Sequence, residues 1–200
     1  NIGWGAFGDT KWLEKQPDGL IYIGDILYGY KCYNEAPMDI SVEIKHGTTK
    51  IVGGAFQGMN GLKSILIPNT VKYIGNRVFE SCSSLTSIDI PNSVIEIGDM
   101  AFADCSSLIS INIPNSVNKI GAGAFYGCSS LKSAILSENI TSLLTTVGNS
   151  EDGSQSFFEN CSSLTTISIP AKIEEIGAGI FHGCKSLESI IVHPDNKVYD

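Results

Sequence analysis

Hydrophobic and polar residues alternate in short stretches that recur along the chain. Between Ser87 and Ile90, the two isoleucines point to one side and Ser87 and Asp89 to the other, which predicts a half-buried strand. Pro91 ends this strand, because proline cannot donate to a strand ladder. The same pattern predicts parallel strands at 64–67, 87–90, 110–113, 133–136, 166–169 and 189–192.

These strands belong to a 23-residue repeat. Five cysteines are separated by 23, 23, 33 and 23 residues: Cys82, Cys105, Cys128, Cys161 and Cys184. Aligned on them, one coil reads Phe79-x-x-Cys82-Ser83-Ser84-Leu85-x-x-Ile88-x-Ile90-Pro91-x-x-Val94-x-x-Ile97-Gly98. A single coil cannot bury its own apolar residues, whereas stacked coils cover one another. The repeat therefore predicts a mostly β fold, a right-handed leucine-rich-repeat solenoid with parallel strands.

The rest of each coil shows a second apolar stretch and a turn. Val94 and Ile97 form the second stretch, and Gly98 closes it where a sharp corner could need a positive φ. The segment 101–105 fits one turn of 3₁₀ or α-helix, with Phe102 and Cys105 on the same side.

The regular repeat is interrupted at two places. We expect a partial repeat plus a hairpin insertion over 1–38 and the solenoid over 39–200, in one continuous structural unit. The hairpin, near 20–30, has a two-residue Gly24-Asp25 turn and should stand outside the regular coils. Residues 145–154 read as a surface insertion loop. The chain opens without Met, and we expect it to be a piece of a longer protein.

The repeat resembles a known family. Ile113-Pro114-Asn115-Ser116-Val117 and Gly127-Cys128-Ser129-Ser130-Leu131 are similar to the BspA-like, or Treponema-type, leucine-rich repeats, and the resemblance covers about four-fifths of the chain. Members of this family are bacterial and protozoan surface or secreted proteins that bind host proteins or other cells. The resemblance thus implies a location at the cell surface or outside the cell, with an extracellular-matrix or host-cell surface protein as a candidate partner.

Charge and hydropathy exclude two classes of partner. The chain has 13 basic and 21 acidic residues and a net charge of −8, which argues against nucleic acid. Its apolar runs are shorter than the roughly 20 residues of a membrane-spanning helix. We therefore expect no membrane insertion by this segment.

The cysteine column has two interpretations. Neighbouring coils could bring cysteines close enough for disulfides, or the thiols could be reactive. Met59 occupies the same column in an earlier coil, which favours buried apolar packing instead. Cys32 lies outside the column and is the best candidate for a reactive thiol.

Candidate catalytic and metal residues are sparse. The column between the two strand isoleucines holds one acid, Asp89, and the three histidines lie far apart in the repeat. Asp195-Asn196 and Glu151-Asp152 lack the alternating oxygen ligands of a calcium loop. We predict no catalytic site, no bound metal and no cofactor.

The outward side of the predicted strands is the candidate binding surface, because solenoids usually bind through an extended concave face. Exposed aliphatic and hydroxyl side chains there suit a protein partner. The candidate residues are Leu66, Asp89, Asn112, Ile135, Ser168, Ile191, Ser87, Ser110 and Ser133. The column of serines at 87, 110 and 133 has two other interpretations. Small residues suit a crowded concave face, and a regular array of hydroxyls could bind ice, which the sequence favours least. The alternative function is a passive spacer in a larger surface protein.

Overall fold

The computed structural model describes residues 2–3, 5–32, 38–144 and 156–199. Short strands and turns make up nearly all of these ranges. The elements are α1 Lys11–Glu14, β1 Gly19–Ile23, β2 Ile26–Lys31, β3 Ile40–Glu43, β4 Lys50–Ile51, β5 Leu62–Leu66, β6 Tyr73–Ile74, β7 Glu96–Ile97, β8 Ser110–Asn112, β9 Lys119–Ile120, β10 Ser133–Ile135, β11 Ser142–Leu143, β12 Thr166–Ile169, β13 Glu175–Ile176 and β14 Ser189–Val192.

The strands with the alternating pattern stack on one side of the coils, which we call the main side: β3, β5, β8, β10, β12 and β14. They pair in parallel, β3 with β5 and the other four in the order β14-β12-β10-β8. Equivalent residues of successive coils face each other, as Ser110, Ser133 and Thr166 do. The predicted parallel-strand solenoid is therefore confirmed.

The strand predicted at 87–90 is absent. Ile88 and Ile90 are buried as the alternation requires, yet no ladder connects these residues to β5 or β8. Alternation determines which side chains face the core, whereas a ladder also requires the neighbouring backbones to lie within hydrogen-bond distance. The main side is therefore divided here into a two-stranded and a four-stranded sheet.

The second apolar stretch of each coil forms a two-residue strand, and these strands stack on a second side of the coils. One sheet has the order β1-β2-β4-β6-β7-β9, and β11 pairs separately with β13. Ile51, Ile74, Ile97 and Ile120 follow one another in register through this sheet. Their stacking covers each coil with the next one.

The N-terminal hairpin forms as predicted, but it does not stand outside the coils. Ile23 pairs with Ile26 across Gly24-Asp25, while β2 continues the second side by pairing in parallel with β4. The hairpin joins the stack because both of its faces are apolar. One face contributes the buried Leu27 to the main core, and the other contributes Ile21 and Tyr28 to a separate cluster with Phe7.

The third side consists of turns, and the segment 101–105 has the hydrogen bond of the single 3₁₀ turn that was one of the two predicted forms: the N–H of Cys105 donates to the carbonyl of Phe102 at 3.2 Å. Phe79 and Phe102 donate their backbone N–H groups to Ala101 and Ala124 of the next coil, at 2.8 and 2.9 Å. The first N–H groups of such a turn have no partner within it, so the carbonyls of the next coil satisfy them. Arg77 and Ser81, with φ of 56° and 60°, flank one such turn, and most other coils have a positive φ at the equivalent positions.

Gly98 is needed for a different reason than predicted. It is not among the residues of positive φ; instead, a Cβ there would lie 2.6 Å from the backbone nitrogen of Asn76. The side-chain Oδ1 of Asn76 also accepts a hydrogen bond from the N–H of Asp99 at 3.0 Å. Glycine thus permits close approach of two coils at this corner.

The core is a column of stacked aromatic rings inside the turn side. Phe56, Phe79, Phe102 and Phe125 are almost completely buried, and successive ring centroids lie 5.3–5.6 Å apart with nearly parallel planes. Phe158 continues the column at 5.7 Å from Phe125. The ten-residue loop predicted at 145–154 lies outside the described residues.

Candidate protein-interaction face

All nine candidate binding residues are exposed on the main side of the solenoid. The inward neighbours of these residues, such as Ile111 and Ile167, are buried, so the alternation turns the candidates outward. We call this surface the outer face. It carries Leu66, Asp89, Asn112, Ile135, Ser168, Ile191, Ser87, Ser110 and Ser133.

Hydroxyl side chains form one column of the outer face. Ser110, Ser133, Thr166 and Ser189 follow each other across four paired strands. The column extends one coil further than the candidates, because Ser41 pairs with Ser64 and accepts a hydrogen bond from its hydroxyl at 2.8 Å. The alternation of Val42 and Ile44 is the sequence signal for this additional coil.

The neighbouring column combines exposed aliphatic side chains with polar ones. Leu66 is 59% exposed, Ile135 is 64% exposed and Ile191 is 52% exposed. Ile135 and Ile191 lie close together at the C-terminal end, whereas Leu66 lies far along the stack, between Glu43 and Asp89 in this column. The structure thus groups two of the three aliphatic candidates and leaves the third apart.

A groove of about 220 Å³ opens beside Ile135, Ser168 and Ile191. Apolar groups from the strand ends, including Leu136, Ile169 and Pro170, form much of its lining. Glu138 also lines it, although it was not among the sequence candidates. Its signal was a departure from the repeat, because Glu138 stands where three earlier coils have Asn69, Asn92 and Asn115.

Two further isoleucines are exposed near the outer face, and neither was among the sequence candidates. Ile109 is 48% exposed and directly precedes β8. Ile190 is 51% exposed although its equivalent in the previous coil, Ile167, is only 1% exposed. Ile190 pairs with Ile167 and therefore points to the core side of β14, the edge strand of its sheet, so it does not belong to the outer face.

The thiols of the cysteine column are buried and ionise with difficulty. Cys82, Cys105, Cys128 and Cys161 are completely buried free thiols, and each donates a hydrogen bond to a phenylalanine carbonyl at 3.1–3.2 Å. Burial raises the pKa of Cys82 to about 12 and the pKa of Cys105 well above its ordinary value. The column is therefore core packing, as the Met59 comparison predicted, while Cys32 is exposed.

Acidic and histidine side chains are dispersed over the described residues. No group of three or more His, Cys, Asp or Glu in these ranges could hold a metal ion. Asn196, considered above as part of a calcium loop, is buried and donates to the carbonyls of Pro170 and Ile173 at 3.0 Å. Its amide thus closes the last turn instead of facing a cation.

A second cavity lies away from the outer face. It measures about 440 Å³ beside the hairpin and is lined in part by Thr10, Leu13 and Tyr28. Lys31 also lines it, but its ammonium group donates to the carbonyls of Leu13, Glu14 and Gln16 at 2.6–3.0 Å. The lysine thus anchors the end of α1 to the hairpin. In the described ranges, no helix has the length and apolar character to cross a membrane.

Comparison with known proteins identifies the repeat. The model of the BspA type leucine rich repeat region matches residues 27–151 and 151–199, with six copies. The chain belongs to the BspA-type leucine-rich repeat family. No curated protein sequence matched this BspA-type chain.

Solved structures resemble the BspA-type chain over most of its length. A leucine-rich repeat protein from Bacteroides ovatus is 30% identical with a TM-score of 0.65, covering 75% of this chain and 36% of its own. The leucine-rich repeat protein of T. pallidum is 32% identical with a TM-score of 0.66, covering 74% and 64%. The chain therefore spans less than two thirds of either relative.

A third structure shares the fold alone. The pneumococcal vaccine antigen PcpA is 22% identical with a TM-score of 0.61, and the match covers 85% of this chain and 44% of the antigen.

Proposed function

We propose that this BspA-type chain is a non-enzymatic binding module of a surface-exposed or secreted protein, and that it binds a protein partner through the outer face. The observation that carries the proposal is the exposure of Leu66, Ile135 and Ile191 among hydroxyl side chains on one continuous side of the solenoid. Membership of a leucine-rich repeat family is consistent with a protein-interaction module.

The chemistry of the outer face favours a protein over a glycan. Its columns contain aliphatic, hydroxyl, amide and charged side chains and, in the described residues, no aromatic ring on which a sugar could stack. Aliphatic groups surrounded by hydrogen-bonding groups are the composition of a protein–protein contact. An extracellular-matrix or host-cell surface protein is the partner class we propose, and the fold shared with a vaccine antigen supports a surface location.

The test is a binding assay against a panel of extracellular-matrix and cell-surface proteins. One variant carries Leu66→Asp, Ile135→Asp and Ile191→Asp. The matched control carries Tyr73→Asp, Asn118→Asp and Thr141→Asp, which are exposed near the second side and add the same charge. We expect the parent and the control to capture a partner and the outer-face variant to lose it, with circular dichroism unchanged.

Two results would contradict the proposal. The parent could capture nothing from the panel, or the folded outer-face variant could capture as well as the parent. The second result would favour the passive spacer, since a spacer tolerates any substitution that leaves the coils folded.

A further inference from the structure

The groove on the outer face has the shape of a notch for one side chain. Ser168 forms its floor, paired with Ile191 on the adjacent strand β14. On the other neighbouring strand, Ile135 directly follows Ala134, which pairs with Ile167, the residue before Ser168. A small residue therefore separates two exposed isoleucines on strands that lie about 9.6 Å apart, twice the strand spacing.

We propose that this notch receives one bulky apolar side chain from an extended segment of the protein partner, with a lysine or arginine of that segment at Glu138. The inference rests on the proposed function and specifies the recognition chemistry at the C-terminal end of the outer face. The inserted side chain would lie between Ile135 and Ile191, contact both of them and cover Ser168. Burial of one apolar side chain in a pocket is typical of an anchor residue at a protein interface.

The notch arises from local departures from the repeat. Leu66, the other exposed aliphatic residue of the same column, has Glu43 as its paired neighbour and therefore no second apolar wall. Near the notch, Ser137 replaces the proline found at 68, 91, 114 and 170, and its hydroxyl donates to the carbonyl of Val117. Glu138 follows directly, and its backbone N–H is held by Oδ1 of Asn115 at 3.0 Å.

The carboxylate of Glu138 is the reason for expecting a cationic side chain in the partner segment. Glu138 is the one Asp, Glu, Lys or Arg side chain in the lining of the groove, and it forms no ion pair with the described residues. His193 also lines the groove, but its Nδ1 accepts the N–H of Asp195 at 3.1 Å. In a chain of net charge −8, a cationic neighbour on the partner would complement this carboxylate.

The probe is a phage-displayed library of random dodecapeptides, selected on the immobilised full chain. Ser168→Trp fills the notch with a side chain, Ser168→Ala keeps it open as the matched control, and Glu138→Gln removes the charge. We expect selected peptides to share Leu, Ile, Met or Phe within three positions of Lys or Arg. Ser168→Trp should weaken their binding at least about tenfold, and Ser168→Ala less than about twofold.

The role of the Glu138 charge is tested separately, by peptide affinity and its salt dependence. Glu138→Gln should weaken the same peptides about threefold at low salt and reduce the salt dependence of binding. Peptides without the apolar–cationic signature, equal binding to Ser168→Trp, or failure to select any peptide would overturn the inference. The inference alone fails if a matrix protein is lost by the Leu66/Ile135/Ile191 variant but retained by Ser168→Trp. Both proposals fail if no captured protein depends on the outer face.

Discussion

The thiol of Cys105 donates a hydrogen bond to the main-chain carbonyl of Phe79 in the preceding coil, at 3.1 Å. The same relationship links Cys128 to Phe102 and Cys161 to Phe125. Cysteine suits this position because it is small and apolar, yet its weak S–H donor can satisfy a carbonyl at the turn. The thiol column and the phenylalanine column therefore stabilise the same contact between coils.

Truncation of the phenylalanine column should be severely destabilising. Phe102 is completely buried between Phe79 and Phe125, with ring centroids at 5.3 and 5.4 Å. We expect Phe102→Ala to lower the free energy of unfolding by about 3–5 kcal/mol, because a cavity remains between two rings. Urea denaturation measures the change, with the exposed Leu66→Ala as control. A loss below about 0.5 kcal/mol would show that the ring is not part of the core.

The native chain should contain one rapidly reacting thiol. Cys32 is exposed, whereas the pKa of Cys82 is raised to about 12 by burial, so on the order of one in 10,000 of its molecules is a thiolate at pH 8. Labelling with a chromogenic disulfide reagent should therefore show a single fast phase that Cys32→Ser removes. Cys184 is only half-buried, but burial raises its pKa, so we expect it to react more slowly than Cys32. Fast reaction of the four completely buried thiols in the folded protein would refute the buried column.

Stability should decrease in alkaline solution because of the same column. Burial raises the pKa of Cys105 and Cys128 in the folded chain above the ordinary value of 9.0, so only the unfolded chain ionises these thiols easily. Their contribution is fully present below about pH 9 and is lost as the pH rises further. Above that pH, each thiol should lower the free energy of unfolding by about 1.4 kcal/mol for every further pH unit.

The measurement is the free energy of unfolding at pH 8, 9, 10 and 10.5 under reducing conditions. In Cys105→Ala, the free energy of unfolding should decrease less steeply with pH, by the contribution of one thiol. Cys32→Ser should leave this pH dependence unchanged. An identical slope in the parent and in Cys105→Ala would argue against the predicted linkage.

The glycine corner should not tolerate a methyl group. A Cβ at Gly98 would clash with the side chain and the backbone nitrogen of Asn76, so we expect Gly98→Ala to lower the melting temperature by several degrees, for a cost of at least about 1–2 kcal/mol. Gly3→Ala is the matched control, because a Cβ there meets nothing within 4 Å. Asn76→Ala should not rescue Gly98→Ala, since the backbone contact remains. Equal melting temperatures for the two alanine variants would disprove the close approach.

The sequence alone determines the repeat, the direction of each side chain and the composition of the core. Ile88 is buried and Ser87 exposed because residues of an extended segment alternate, whatever their partners. The columns of Phe102 and Cys105 follow from a constant 23-residue period, since equivalent positions of stacked coils must coincide. The exposure of the nine candidate residues on the outer face was therefore predictable from the sequence.

Only the tertiary structure decided which backbones pair. The hairpin joins the second side, residues 87–90 lack a ladder, and Phe102 in the turn at 101–105 donates its N–H to Ala124 of the next coil. The notch over Ser168 likewise needs Ile135 and Ile191, 56 residues apart, on strands either side of it. Hydrogen bonds and grooves between coils depend on the relative position of distant backbones, which a local alternation of apolar and polar residues does not specify.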